Sequence, residues 1–462
     1  MNTPLGWLGI FRLGLVQTAL GAIVVLTTST LNRVMVVELA LPAMLPGILV
    51  ALHYAVQMLR PRLGHGSDLG GRRTPWIIGG MALLAAGGTL AAVATVLMAD
   101  HFAAGVALAV LAFALIGVGV GAAGTSLLVL LAKRVEDGRR AAAATIVWMM
   151  MILGFALTAG ITGRLLDPFS GERLLQVVAA TSACAFMLAL VAVRGVEGGA
   201  PAANAVSTGL PHASPQGTRQ ATPPSTPFRA ALAQVWGESH ARLFTLFVFV
   251  SMLAYSAQDL ILEPFAGTVF GYSPGQSTQL SGLQHGGVFA GMLLVALTGT
   301  VFGGRQIGSL RLWIIGGCIA SACALAGLTA AGFSGQGWPL RETVFLLGVS
   351  NGAFAVAAIA SMMRLAGRGG AGREGVRMGL WGAAQAIAFA LGGFAGTVAV
   401  DLARALIAEP GVAYALVFAG EALLFVVSAG MATRISGLQP VTVAAHAPTA
   451  PLPLMTRVEG EA

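Results

Sequence analysis

The sequence predicts an all-α integral membrane protein of twelve transmembrane helices arranged as two six-helix halves. Three observations carry that expectation. The 462 residues are 56% hydrophobic and only 10% charged, with a mean hydropathy of +0.83, whereas a water-soluble domain carries about 25% charged residues. Twelve stretches are apolar over the roughly 20 residues that one helical crossing needs. A polar break rich in Pro, Ser, Ala and Gly separates the sixth stretch from the seventh.

In chain order the spans are read as 11–31, 42–60, 75–98, 104–132, 141–164 and 174–194, then 241–262, 280–302, 311–332, 341–364, 376–400 and 411–433. No small-residue cleavage site follows the first, so it reads as a retained span and not as a signal peptide. The break, "GVEGGAPAANAVSTGLPHASPQGTRQATPPSTPFRA", cannot pack a core and reads as a flexible linker. The expected organisation is therefore a bundle over 1–194, a cytoplasmic linker over 195–240, a second bundle over 241–434 and a disordered cytoplasmic tail over 435–462.

Of the 26 basic residues all but Lys133 are arginine, and the sequence pI is about 10.4. Such basicity could suggest nucleic acid, but the charges are scattered through short loops, which is a topology signal. One set of loops carries Arg60, Arg62, Arg72, Arg73, Lys133, Arg134, Arg139, Arg140, Arg194, Arg305, Arg311, Arg364, Arg368, Arg373 and Arg377. The opposite set has only Arg33, Arg164, Arg173, Arg341 and Arg404. Positive charge stays inside, so both termini and the linker are expected in the cytoplasm and the Arg33 side outside. The three cysteines, Cys184, Cys318 and Cys323, lie in apolar runs without ligand-like spacing, so neither a disulfide framework nor a zinc site is expected.

The halves echo one another. "WIIGG" opens the third span at Trp76 and the ninth at Trp313, and the spacing of Trp148, Gly160 and Gly163 recurs in Trp381, Gly393 and Gly396. Arg140 and Arg373 each precede those tryptophans by the same interval. Repeats in this register resemble the major facilitator superfamily, whose substrate sites lie between the halves. The loop "GHGSDLGGRR" is similar to that superfamily's cytoplasmic gate signature, with Gly64, Asp68, Gly71, Arg72 and Arg73 at matching positions and Leu69 where a basic residue is usual. A carboxylate there can pair with arginines or a helix end and clamp one state.

Two further motifs are more specific. "QDLILEPFAGTVFG" at 258–271 and "TLNRVMVVELALPA" at 30–43 resemble the PucC/LhaA family, the bacteriochlorophyll delivery branch of that superfamily, and the resemblance extends over about 10–435. It implies a protein of the bacterial inner (intracytoplasmic) membrane. It further implies bacteriochlorophyll or a related tetrapyrrole as ligand, with light-harvesting or reaction-centre subunits and the lipid bilayer as partners. No cofactor is required, though bound bacteriochlorophyll is possible, and no nucleic acid is implied.

Asp259 and Glu263 share one helix face. They either cap an exposed loop or sit inside the bundle, where charge is tolerated only with a partner, a proton or a water-filled cavity. Arg33 is the expected partner, with Asn32 and Glu38 in the same outer charge cluster. His285, in "SGLQHGGVFAG", is flanked by Gly282, Gly286, Gly287 and Gly291. Those glycines serve either close helix packing or a cleared surface for a flat macrocycle whose metal the imidazole binds. His53, Gln258, Gln284 and Gln385 are expected to line a polar cavity. No nucleotide loop or nucleophile–base pair is present, so no enzyme is expected. Beside pigment handling stand two other readings: a proton-coupled transporter of a small apolar or amphipathic solute, and a ligand-free assembly scaffold.

Overall fold

The computed structural model describes residues 5–59, 72–136, 139–197, 228–301, 309–366 and 374–435. Within them the regular structure is helical. Eleven helices are long and apolar enough to cross a membrane, and a shorter apolar helix, Met44–Leu59, stands where the second span is expected. In chain order they are α1 Trp7–Glu38, α2 Met44–Leu59, α3 Thr74–Leu97, α4 Phe102–Arg134, α5 Arg140–Leu165 and α6 Gly171–Val193. The second half comprises α7 Ser239–Phe270, α8 Pro274–Val301, α9 Leu310–Ser334, α10 Leu340–Ala366, α11 Glu374–Leu406 and α12 Pro410–Thr433. A short helix, Phe228–Gly237, occupies the end of the segment read as linker.

Packing repeats with the sequence. In the first half α3 lies against α4 and α6, α1 against α5 and α6, and α2 against α4. In the second, α9 lies against α10 and α12, α7 against α11 and α12, and α8 against α10. Each contact is its counterpart moved on by six helices, which a duplicated six-helix unit requires. Burial respects the same division. One apolar core runs from Leu5 to Val196 and takes in Leu260, and the other runs from Phe244 to Ile435 and takes in Ile152. Between them the halves meet through α5 on α8, α2 on α11, and α1 on both α7 and α8.

Several helices overrun their expected limits, and two of these corrections matter for the site. The first span, expected over 11–31, continues to Glu38 through two π-helical turns, Leu26–Thr30 and Val34–Glu38. The seventh, expected to stop at 262, continues through Pro264 to Phe270. Gly271, at φ 68°, then closes it by returning its N–H to the Ala266 carbonyl, a left-handed cap that glycine adopts without penalty. Proline inside a helix deprives the carbonyl four residues back of its donor, here that of Leu260. Asn32 supplies the replacement, its Nδ2 donating to that carbonyl at 2.6 Å. The helix thus survives its proline because a side chain from the other half completes it.

A polar seam between the halves as candidate functional site

The two family-like motifs meet each other. Along the last turns of α1, Ser29, Thr30, Asn32 and Arg33 reach the opposite half. Ser29 lies within hydrogen-bonding reach of Glu263 Oε1 and, at 3.0 Å, of the Ser281 hydroxyl. The hydroxyls of Thr30 and Thr278 pair at 3.1 Å. Arg33, 2% exposed, binds Glu38 Oε1 through Nη1 at 2.5 Å and donates Nη2 to the Tyr272 carbonyl at 2.6 Å. Gly267 makes room for it, since a Cβ there would stand 2.9 Å from Nη2. A π-helical turn widens the helix and shifts its register, a deformation found mostly at functional positions. It places these side chains toward α7 and α8.

Of the expected outer cluster, Arg33, Glu38 and Glu263 come together, and Glu263 is buried at 2% exposure. Asp259 belongs to a deeper layer. Its contact is Gln284 Nε2 at 3.5 Å, and a third acid, Glu421, is carried by α12, which packs against α7. Glu421 is 3% exposed and both of its oxygens lack a hydrogen-bond partner among the described residues. Sequence reasoning passed over it, although an acid in mid-span is itself a functional signal. The same layer holds Gln258, fully buried with both amide atoms unpartnered, and Tyr255, whose ring joins Phe389 and Phe354 at centroid distances of 5.8 and 6.4 Å.

His285 sits on α8 with its Nδ1 2.9 Å from the Ser281 carbonyl. A carbonyl only accepts, so Nδ1 carries the proton and Nε2 presents the lone pair. Phe155 of α5 stands edge-on to the ring at 5.0 Å, from the other half. The flanking glycines divide by role. Gly282 touches Gly160 of α5, and Gly287 and Gly291 press on the α10 backbone at Phe345 and Val349, whereas Gly286 has nothing within 4 Å of where a side chain would begin. Packing therefore accounts for three of the four. His53 lies on α2, against Gln57 at 2.9 Å and edge-on to Tyr54, and Tyr54 in turn reaches Phe389 across the halves at 5.7 Å.

Within the gate-like loop, Gly64, Asp68 and Gly71 lie outside the described residues. Arg72 and Arg73 lead into α3, and the carboxylate seen at this helix end is Glu197, just beyond α6. It accepts the N–H groups of Arg73 at 2.6 Å and Thr74 at 2.9 Å, and the Thr74 hydroxyl at 2.7 Å. Burial opposes its charge, but those donors and the Arg72 guanidinium prevail and hold its carboxyl below the ordinary value of 4.5. A carboxylate that binds protons less readily when folded contributes stability above its unfolded value and loses it in acid. Glu197→Gln is accordingly expected to lower the thermal midpoint at pH 7, with the gap to the parent narrowing as pH falls below about 4.5. A gap that stays constant from pH 7 down to acid would show that the charge contributes nothing.

The model of the PUCC protein family matches residues 30–439. This chain belongs to that family. It is 53% identical to the "Bacteriochlorophyll synthase 44.5 kDa chain" of Rhodobacter capsulatus over 96% of this chain and 98% of the relative. It is 28% identical to "Protein PucC" of the same organism over 92% of each. Among solved structures, a D-xylose–proton symporter superposes with a TM-score of 0.66 over 90% of this chain and 96% of its own, at 14% identity. At that identity the likeness shows the fold alone, that of the major facilitator superfamily. The chain is thus a multi-pass membrane protein of the PUCC family, and one of its relatives carries bacteriochlorophyll in its name. Its seam is built from the two stretches that carry the family resemblance.

Proposed function

We propose that this protein binds bacteriochlorophyll or a related tetrapyrrole and passes it to nascent light-harvesting or reaction-centre subunits, by binding and release without catalysis. The observation that carries the reading is His285. Its tautomer is fixed by the Ser281 carbonyl, it lies where α5 of one half meets α8 of the other, and open space adjoins it at Gly286. A neutral imidazole nitrogen held this way can donate to the central metal of a macrocycle, while Gln258, Gln284 and Tyr255 offer polar contacts to its periphery. The relatives' names support the pigment, and the facilitator fold supports a carrier over a synthase. Two conformations of different pigment affinity suffice for delivery, with no need for a gradient. In this reading the two bundles are joined by a cytoplasmic linker, both termini face the cytoplasm, and the Arg33 end faces outward.

The test is the absorption spectrum of the full-length protein, purified in mild detergent from a pigment-making phototroph, beside that of His285→Ala. The parent is expected to carry about one pigment per chain, and the variant about tenfold less or a shifted band, as loss of a metal-orienting group typically costs. Colourless protein, from preparations in which antenna complexes keep their pigment, would overturn the reading and leave an assembly scaffold. A second reading is favoured by the buried carboxyls Glu263 and Glu421 and the half-buried Asp259 within the spans. Such groups suit a proton-coupled transporter of a small amphipathic solute, and solute uptake into vesicles driven by a pH gradient would establish it.

A further inference from the structure

We propose that Asp167 and Asp401 form a matched pair of latches that hold the Arg33 end of the seam shut, and that this end opens only when both let go. Asp167 stands just beyond α5. Its Oδ2 accepts the Ser273 hydroxyl at 2.8 Å, and its Oδ1 accepts the Gly275 N–H at 3.3 Å, so it sits on the N-terminus of α8. Asp401, near the end of α11, accepts the N–H groups of Ala43 at 2.9 Å and Met44 at 2.7 Å, on the N-terminus of α2. In both cases a carboxylate of one half meets the partly positive, donor-bearing end of a helix in the other half. Moving α5 and α8 on by six helices, with the count wrapped at twelve, gives α11 and α2. The latches are therefore symmetry mates, and they act on α5–α8 and α2–α11, two of the helix pairs through which the halves meet.

Local sequence is fitted to each contact. A side chain at Gly275 would overlap Asp167, and one at Gly47, in the first turn of α2, would overlap Thr397 one turn before Asp401. Both glycines let an acid-bearing helix approach the end it caps. Among the described residues, several polar contacts at the other end of the molecule join elements of the same half. Arg12 bonds the Ala192 carbonyl at 3.1 Å, Glu197 bonds Thr74, Arg311 bonds the Thr433 carbonyl at 2.6 Å, and Arg377 pairs with Glu238 at 2.7 Å. At the Arg33 end, Arg33 on the Tyr272 carbonyl adds a further tie between the halves. Closing the other end in an alternating cycle would require these ties to break, and the aspartates are the charged members of them that bind helix ends.

The experiment uses Thr278→Cys in the full-length protein in mild detergent. Thr278 is fully buried at the α1–α8 contact, so its alkylation by a polar maleimide reports opening of the seam. Cys318, fully buried within α9, reports general loosening in the same sample. Asp167→Asn and Asp401→Asn remove charge while keeping shape. Each is expected to speed alkylation at position 278 about fivefold, and the pair about twenty-five-fold, in line with carboxylates at helix N-termini, with Cys318 unchanged. An unchanged rate in the double variant would overturn the proposal. So would one single variant giving the whole effect, or Cys318 accelerating in parallel.

Discussion

Arg33→Ala is expected to destabilise the protein by about 3 kcal/mol, at the lower end of what removing one partner of a buried ion pair costs. Arg33 is almost fully buried, whereas its partner Glu38 keeps 35% of its side-chain exposure and so recovers part of its hydration when the guanidinium is gone. Against that, the Tyr272 carbonyl loses its donor and Glu263, buried nearby, loses its nearest positive charge. The measurement is the thermal midpoint of detergent-purified protein, taken as a cycle with Glu38→Gln. If Glu38 is the main partner, the double variant should lie closer to Glu38→Gln than the sum of the single losses predicts. Additive losses would mean that Arg33 acts chiefly through Tyr272 and Glu263, across the halves and not within α1. Loss of less than about 0.5 kcal/mol, the scale of an ordinary surface substitution, would show that the seam does not depend on this charge.

The plan of the molecule was legible because apolar length and arginine placement are one-dimensional signals. Spans, halves and repeat all follow from them, and the pairing of contacts between α1–α6 and α7–α12 is their three-dimensional form. What hydropathy misjudged was where α1 and α7 end. Arg33, Glu263 and Pro264 lie just past the expected spans, yet none closes the helix, since each, like Asp259 before them, is accommodated by groups from outside its own helix: Tyr272 for Arg33, Ser29 for Glu263, Gln284 for Asp259 and Asn32 for the carbonyl that Pro264 strands. Long-range satisfaction of this kind leaves no local mark. The repeat misleads in a related way. Trp148 and Trp381 share a sequence position, but Trp381 is 1% exposed against Phe244 while Trp148 is 37% exposed. A duplicated motif fixes the helix and its register, not the neighbours that a side chain meets. Glu421 had a readable signal, a lone acid inside "YALVFAGEALLFVV", but its place on a helix packed against α7 appears only in three dimensions.

Gly291→Ala should be among the most damaging single methyl groups added near the site, costing about 3 kcal/mol, the upper part of the range for overpacking a filled core. A Cβ at 291 would overlap the carbonyl oxygen of Val349, and backbone cannot swing aside as a side chain end can. The helices α8 and α10 would have to part, and the same contact recurs one turn along, where Gly352 meets the Val288 carbonyl and Gly348 meets that of Gln284. Close approach of this type is the main source of helix association where lipid removes the hydrophobic drive. Gly286→Ala supplies the opposite sign on the same helix. Open space surrounds it, so the added methyl is expected to raise the thermal midpoint slightly, by up to about 1 kcal/mol of helix propensity. The pair of midpoints separates the two roles a glycine can play beside His285. If Gly286→Ala proves as harmful as Gly291→Ala, the space next to the histidine is closed in the membrane, and a flat ring has no room there. If it is neutral or stabilising yet lowers bound pigment, the open face at Gly286 is where the ring lies.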